Sequence, residues 1–434
     1  MLGSSSTRRV AVLGASGSIG RSAFDVISSS NGTLEIALLS VNRQTNILAE
    51  QLLQIAAQIE KNKTAECECE KQNCGRLPRW VVVTDSGADR TPIDNLPDKI
   101  LSEVKVFYGH DSLCQLVRES EIDIILSAVS GCAGLTSTWS ALEAGKTVAL
   151  ANKESLVSGG SVIKELAIQN HANLIPVDSE HSAVWQALQS WQMRNYPNSL
   201  MNPDINNTAN TDPQKGIENI TLTASGGPFR NLTFGELERV TVEDALNHPT
   251  WKMGKKITID SATMMNKAFE IIEARYFFDL EPQQIKVLIH PQSIVHSMVQ
   301  FIDGSTIAQL SCPDMRIPIN LALHYPDRFG LSVRSIDWAG DVTLAFYVPD
   351  VERFPAISLG YVVAEKGGTT GVVVNAANEV AISAFLNGDL PFRDIVNACI
   401  SILENHNFEK RPTLSRLLQL DSWARKETEK WISQ

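Results

Sequence analysis

The chain lacks several things, and each absence narrows its class. No apolar stretch approaches the roughly 18 residues needed to span a membrane, so no spanning segment is expected. The opening Met1 to Arg9 lacks the apolar core of a signal peptide, which predicts a soluble, cytoplasmic protein. Positive charge is in deficit, 38 Lys plus Arg against 49 Asp plus Glu for a net −11, which argues against nucleic acid or an anionic membrane as partner. Cysteine is sparse: seven residues, an odd number scattered along the chain, favour reduced thiols over a closed disulfide framework. Internal repeats are absent. Composition itself, 43% hydrophobic and 20% charged, is that of a globular protein and excludes disordered, collagenous and coiled-coil chains. At 434 residues the chain exceeds one ordinary domain, and two or three are expected.

Over the first 177 residues, β-rich apolar runs alternate with helical patterns. The runs are Arg8 to Leu13, Leu34 to Leu39, Trp80 to Thr84, Ile122 to Val129, Thr147 to Ala151 and Leu174 to Val177; helical patterns include Ile19 to Ser29, Thr45 to Ile59 and Leu135 to Ala144. Runs apolar on both faces predict parallel strands between helices, a doubly wound, Rossmann-like α/β domain. Residues 220 to 324 read as an α+β region with a mixed sheet: a helix from Ser261 to Phe278, then strands at Val287 to His290, Val295 to Ile302 and Thr306 to Ser311, with Asp303-Gly304 as a hairpin turn. From about Ala356 the spacing predicts a C-terminal helical bundle, with helices at Val374 to Leu386, Ile395 to Leu403 and Leu414 to Trp431. Two polar stretches, 61 to 79 and 193 to 219, read as surface insertions. The first holds Cys67, Cys69 and Cys74, whose spacing fits no common zinc pattern and lacks a fourth ligand.

Gly14-Ala-Ser-Gly17-Ser-Ile-Gly20 lies between the first strand and the first helix. A tight turn there lets backbone N–H groups and the helix N-terminus approach a pyrophosphate. The spacing is G-x-x-G-x-x-G, and a glycine-rich turn without a ligand is the alternative. No acidic residue follows the second strand to hold a ribose 2′-hydroxyl; Ser40-Val-Asn-Arg43 stands there instead. A guanidinium pairs with a 2′-phosphate, so Arg43 argues for NADP, a solvated surface arginine being the other possibility.

Val177-Asp178-Ser179-Glu180-His181 follows the last parallel run, and on an extended backbone Asp178 and Glu180 point to one face at the carboxyl edge of the sheet. Further on, Asp260-Ser261 reads as a helix cap, with Asn266, Lys267 and Glu270 at i, i+1 and i+4 on one face. A helix N-terminus with Ser261, Asn266 and Lys267 offers donors to a phosphate, and Glu270 supplies a third carboxylate. Three carboxylates without paired Cys or His describe a hard divalent ion such as Mg or Mn. The alternative is an amphipathic helix with Met264, Met265, Phe269 and Ile272 in the core and its polar face solvated. Glycines at 226, 227 and 254 bracket His248, Trp251 and Met253, the pattern of a lid over a substrate, although Trp251 also suits a core and His248 a cap.

Taken together, Gly14-Ala-Ser-Gly-Ser-Ile-Gly20, Ala151-Asn-Lys-Glu-Ser155, Pro176-Val-Asp-Ser-Glu-His181, Thr223-Ala-Ser-Gly-Gly-Pro-Phe229, Asp260-Ser-Ala-Thr-Met-Met-Asn-Lys267, His290-Pro-Gln-Ser293, Pro313-Asp-Met-Arg316 and Asn375-Ala-Ala-Asn-Glu379 cover nearly the whole chain. In this order they strongly resemble the 1-deoxy-D-xylulose-5-phosphate reductoisomerase family of the methylerythritol phosphate route to isoprenoids. The resemblance implies that Ser16, Gly17, Ser18, Ile19, Asn152, Glu154 and Gly254 contact NADPH, and that Asp178, Glu180 and Glu270 hold Mg, Mn or Co. It further implies that Lys153, Ser179, Ser225, His248, Trp251, Ser261, Asn266 and Lys267 surround a phosphorylated sugar, with Glu180 and Glu270 meeting both metal and substrate. Lys153, Asp178, Glu180, His248 and Glu270 are the implied catalytic set. The implied molecule is a homodimer: residues 1–177 bind NADPH, 178–324 form the catalytic and dimerisation domain, 325–350 link, and 351–434 form the helical bundle. The implied reaction isomerises 1-deoxy-D-xylulose 5-phosphate and reduces the aldehyde to 2-C-methyl-D-erythritol 4-phosphate. A plain NADP-dependent dehydrogenase would not require the three carboxylates, and a silent NADPH-sensing protein would have no chemical reason to keep them with Lys153. The family's usual Gly-Ser-Thr-Gly start is Gly14-Ala-Ser-Gly17 here, and Ser16 keeps the hydroxyl.

Overall fold

A computed structural model describes residues 7–64, 75–189, 216–251 and 253–434. Seven strands form one parallel sheet: β1 (Arg8–Leu13), β2 (Leu34–Val41), β3 (Trp80–Val83), β4 (Lys105–Tyr108), β5 (Ile124–Ser127), β6 (Thr147–Leu150) and β7 (Asn173–Pro176). Their order is β4-β3-β2-β1-β5-β6-β7. The four residues of β3 and of β5 are all buried, as near-continuous apolar runs demand when both faces of a sheet are covered. The order reverses between β1 and β5, which opens a crevice at the carboxyl ends of those strands. β4 was not anticipated: its Lys105-Val-Phe-Tyr108 is a partly exposed edge strand without a continuous apolar run.

The second sheet is mixed, as expected. It contains β8 (Ile217–Ala224), β9 (Ile285–Ile289), β10 (Val295–Phe301) and β11 (Thr306–Leu310), in the order β11-β10-β8-β9. β8 and β9 are parallel, and β10 runs antiparallel to β8 and β11. The Asp303-Gly304 turn joins β10 to β11, with Gly304 at φ +83 and the Phe301 N–H donating to Ser305 O at 2.9 Å.

Three sequence expectations need correction. The insertion read over 193–219 ends sooner, because Ile217, Glu218 and Asn219 already belong to β8. The insertion read over 61–79 starts later, because the preceding helix runs Thr45–Thr64; Cys67, Cys69 and Cys74 lie outside the described residues. The single helix read over 261–278 is two, Lys255–Ala262 and Met265–Phe278. Met264 between them is left-handed at φ 62, a conformation costing about 1–2 kcal/mol for an L-residue, and the side chain that takes it is only 3% exposed. The Thr263 hydroxyl accepts from the Met265 N–H at 3.3 Å and so supports the break.

Helices Ala356–Lys366, Thr370–Asn387, Asp394–Glu404 and Leu414–Ile432 form the expected helical end of the chain. They are keyed onto the rest of the fold by close backbone approach. A Cβ at Gly360 would lie 2.7 Å from Ala268 Cα on the helix Met265–Phe278. At Gly371 it would collide with the Val157 carbonyl on the helix Lys153–Gln169. Among the described residues, no helix is long and apolar enough to cross a membrane.

Candidate active site

β1 ends in the glycine loop. Gly14 has φ +82, and a Cβ there would sit 2.5 Å from the Ala128 carbonyl oxygen at the end of β5, so this turn admits only glycine. At Gly20 a Cβ would sit 2.6 Å from Ala15 Cα, which is why the helix Ser18–Ser28 packs so close to its own loop. That helix has no side-chain cap, leaving its first N–H groups for a ligand. Gly17 and Ser18 are exposed and Ser16 half-buried, while Ser18 and Ile19 line the main cavity. Arg43 lies past the end of β2 in an ion pair with Asp85, with its side chain 76% exposed.

Asn152 and Glu154 play a different part from simple lining. The Asn152 side chain caps the helix Lys153–Gln169 by accepting from the Ser155 N–H at 2.7 Å, while its amide donates to Gly131 O at 3.0 Å. Glu154 takes the Asn152 amide on one oxygen (3.2 Å) and Lys256 on the other (2.5 Å). Gly254 is the exposed residue that starts the helix Lys255–Ala262.

The carboxylates converge, though not by the expected route. Asp178 follows β7, and Glu180 lies in the first turn of the helix Ser179–Gln189, so a helical turn replaces the extended backbone assumed from sequence. Oxygens of Asp178, Glu180 and Glu270 all lie within 4.8 Å of one another. Two ammonium groups neutralise them in part. Lys153 Nζ is 2.7 Å from Asp178, 3.1 Å from Glu270 and 2.7 Å from Asn266 Oδ1. Lys267 Nζ is 3.1 Å from Glu180, 2.5 Å from Thr223 O, and also pairs with Glu270.

Electrostatics follow from this packing. Burial opposes the charge on Lys153, but Asp178 and Glu270 outweigh it and hold its pKa well above the usual lysine value. Burial likewise opposes charge on Asp178, and the adjacent Lys153 reverses the effect, keeping that carboxyl well below its ordinary range. Burial, with Glu270 alongside, pushes Glu180 up to about 8. Two ammonium groups thus leave the three carboxylates short of positive charge, and oxygen-only donors at this spacing fit a hard divalent cation.

A second set of donors gathers at the other side of the same cavity, whose volume is about 480 Å³. His248 Nε2 is 3.0 Å from Ser225 Oγ and 3.1 Å from Ser261 Oγ. Its Nδ1 accepts from the Thr250 and Trp251 N–H groups at 3.1 and 2.8 Å, so the ring proton resides on Nε2 and is aimed at the hydroxyls. Burial, aided by Arg230, lowers the His248 pKa to about 4 and keeps the ring neutral. Trp251 and Met253 line the cavity, and the Trp251 ring lies 6.4 Å from that of His296. Ser179 donates to Glu180 at 2.5 Å. Ser261 is in the last turn of the helix Lys255–Ala262, not at a helix start; the next helix starts at Met265, with Asn266 and Lys267 in its first turn.

Sequence reasoning assigned no part to several residues found here. His181 and Glu273, 0% and 1% exposed, form a second cluster with Asp178 behind the carboxylate trio. His181 Nε2 donates to the Glu270 carbonyl at 2.9 Å, fixing the helix turn that bears Glu270. The spacings Asp178 to His181 and Glu270 to Glu273, each i to i+3, were the available signal. Ser293 and His296, from β10 and the loop before it, also line the cavity, as does Met315 at the start of the helix Arg316–His324.

Fold and site together define a class: an α/β enzyme of the nucleotide-binding type, in which three converging carboxylates adjoin a pocket of hydrogen-bond donors. Comparison with known proteins narrows this. The profile described as 1-deoxy-D-xylulose 5-phosphate reductoisomerase matches residues 10–75 and 62–160. That of its C-terminal domain matches 174–278, and one described as the DXP reductoisomerase C-terminal domain matches 310–427. A reductoisomerase of this name from Rhodopirellula baltica is 42% identical over 96% of this chain and 93% of its own length; another from Thermodesulfovibrio yellowstonii is 41% identical over 98% and 100%. Among solved structures, the Zymomonas mobilis enzyme in complex with NADPH superposes with a TM-score of 0.80 at 34% identity, covering 98% of this chain and 99% of that one. A DOX-P reductoisomerase in complex with NADPH, fosmidomycin and magnesium gives 0.82 at 34% identity, covering 98% of each. The chain belongs to the 1-deoxy-D-xylulose 5-phosphate reductoisomerase family.

Proposed function

We propose that this protein converts 1-deoxy-D-xylulose 5-phosphate to 2-C-methyl-D-erythritol 4-phosphate with NADPH and a divalent cation. The observation that carries this reading is the single cavity joining Ser18 and Ile19 of the glycine loop, the three carboxylates, and the His248, Ser225 and Ser261 donors. When bound, the cation supplies Lewis acidity toward the keto and hydroxyl oxygens of the sugar, and NADPH supplies the hydride. Asp178, Glu180 and Glu270 would hold the cation; the uncapped start of Ser18–Ser28, with Ser16 and Gly17, would hold the pyrophosphate. Arg43 would meet the 2′-phosphate by exchanging its partner Asp85 for it.

The chain's own groups position and stabilise. Lys153 keeps its proton and presents a buried positive charge between the carboxylates and Asn266, where negative charge on a substrate oxygen is stabilised. His248 donates its Nε2 proton to a phosphate oxygen, joined by the Ser225 and Ser261 hydroxyls, Asn266 and Lys267. Binding energy from that remote phosphate orients the reacting carbons and closes Trp251 over them. A dehydrogenase acting without rearrangement has no use for the carboxylate trio. The proposal includes the division at 1–177, 178–324, 325–350 and 351–434, a homodimer, and a cytoplasmic location. Exposed apolar side chains at Ile302, Trp338, Tyr347 and Val348 support the dimer.

The test is incubation of pure protein with 1-deoxy-D-xylulose 5-phosphate, NADPH and Mg or Mn, followed by product identification. Cation-dependent NADPH oxidation with formation of 2-C-methyl-D-erythritol 4-phosphate is expected. No product, or a reduced sugar with an unrearranged skeleton, overturns the reading.

A further inference from the structure

Lys256 stands outside every role described so far, yet its ammonium joins two halves of the site. It lies in the first turn of the helix Lys255–Ala262, just past Gly254. Its Nζ is 3.0 Å from Asp260 on the same helix and 2.5 Å from Glu154, 102 positions earlier in the chain. Both partner carboxylates are buried, with side chains 2% and 9% exposed. The face of Phe269 lies 5.0 Å from the same ammonium.

Each partner leads somewhere specific. The second oxygen of Glu154 accepts from Asn152, whose amide also holds Gly131 O at 3.0 Å in the loop after β5, where the parallel sheet opens its crevice. Asp260 is clasped from the C-terminal helices by Asn378 Nδ2 at 2.7 Å and directly precedes Ser261, whose hydroxyl meets His248. One ammonium therefore ties the dinucleotide side of the cavity to the short helix that presents a phosphate donor.

We infer that Lys256 is a positioning residue that couples NADPH binding to binding of the phosphorylated substrate, an inference that rests on the function proposed above. Without its charge, Glu154 and Asp260 face each other as two buried, uncompensated carboxylates, and the contact between loop and helix opens. A ligand that orders either side then no longer orders the other, so the second ligand meets an unprepared site. A merely structural role would weaken both ligands alike and leave their mutual effect unchanged.

The experiment is a binding cycle. NADPH dissociation constants are measured with and without fosmidomycin plus magnesium, in the unchanged protein and in Lys256→Met, with thermal unfolding recorded for each. The unchanged protein is expected to bind NADPH at least about fivefold more tightly when fosmidomycin is present, the lower end of common coupling factors. Lys256→Met should reduce that factor to within about twofold of none. Asp260→Asn keeps the shape, weakens the ion pair and should reduce it in part; if Lys256→Met does not fold, this variant decides. Coupling absent from the unchanged protein, or unaltered in a folded variant, overturns the inference. Turnover of 1-deoxy-D-xylulose 5-phosphate by the unchanged protein is scored separately, so failure of the proposed activity is distinguishable from failure of the coupling.

Discussion

Neutralising Glu270 separates the cation-binding account of the carboxylate trio from a purely structural one. Glu270 is the shared partner: one oxygen faces Lys153 at 3.1 Å, and the other pairs with Lys267. In Glu270→Gln each lysine keeps a carboxylate of its own, Asp178 at 2.7 Å and Glu180 at 3.1 Å. The fold should survive at the cost of a charged hydrogen bond, about 2 kcal/mol, and unfold at most about 5 °C lower. Cation binding should suffer far more. Two unit charges 4 Å apart interact by about 4 kcal/mol at an effective dielectric of 20, so losing one anionic ligand weakens cation affinity by roughly a thousandfold or more.

The assay is turnover against Mg or Mn concentration, with NADPH binding followed by nucleotide fluorescence. The half-activating concentration should rise by orders of magnitude while NADPH affinity holds. Asp178→Asn should also lose turnover, but with a larger loss of stability, because it leaves Lys153 only Glu270, a carboxylate that Lys267 also pairs with. The double variant should lose scarcely more turnover than either single one, as groups acting as a unit do. A half-activating concentration within about threefold of normal would refute the ligand role of Glu270. Collapse of fold and NADPH binding together would mark these acids as structural.

Further outcomes follow from other parts of the site. Arg43→Ala should weaken NADPH more than NADH, read as the ratio of kcat/KM; equal effects would reassign the 2′-phosphate. His296 is 5% exposed, and burial lowers its pKa from 6.5 to about 4; between those values the unfolded chain takes up a proton that the folded one refuses. Its stabilising contribution is therefore intact above about pH 6.5 and lost toward pH 4, by about 3 kcal/mol, so denaturation of His296→Gln should be less pH-dependent across that window. An unaltered pH dependence would refute this. Hydrogen exchange over 226–253 should slow when fosmidomycin and magnesium bind, and unchanged protection would count against a lid.

Legibility in the sequence tracked burial and locality. β3, β5 and, from Val10 on, β1 announced themselves because both faces are covered and the residues there are almost all apolar. β4 escaped because an edge strand of four residues needs no such run, and β8 because Glu218 and Asn219 near its start continue the polarity of the Asn- and Pro-rich stretch before it. Within the site, the glycine loop and the individual carboxylates were visible as local motifs. The pairings of Lys153 with Asp178 and of Lys256 with Glu154 were not, since each joins residues on separate elements.

The break at Met264 shows what such a reading misses and why it matters. On one continuous helix, residues nine apart stand about 180° from each other at 100° per residue, so Ser261 and Glu270 would face opposite ways. A continuous helix would thus divide Ser261, proposed to meet the phosphate, from Glu270, proposed to hold the cation. The left-handed residue ends one helix at Ala262 and starts the next at Met265, and both side chains then line the same cavity. No propensity favours a methionine at φ 62; the conformation persists because its side chain is buried and the Thr263 hydroxyl satisfies the new helix start. Local strain of this kind, stabilised by the surrounding packing, is what brings the Ser261 hydroxyl, with its partner His248, and the carboxylate trio into one cavity.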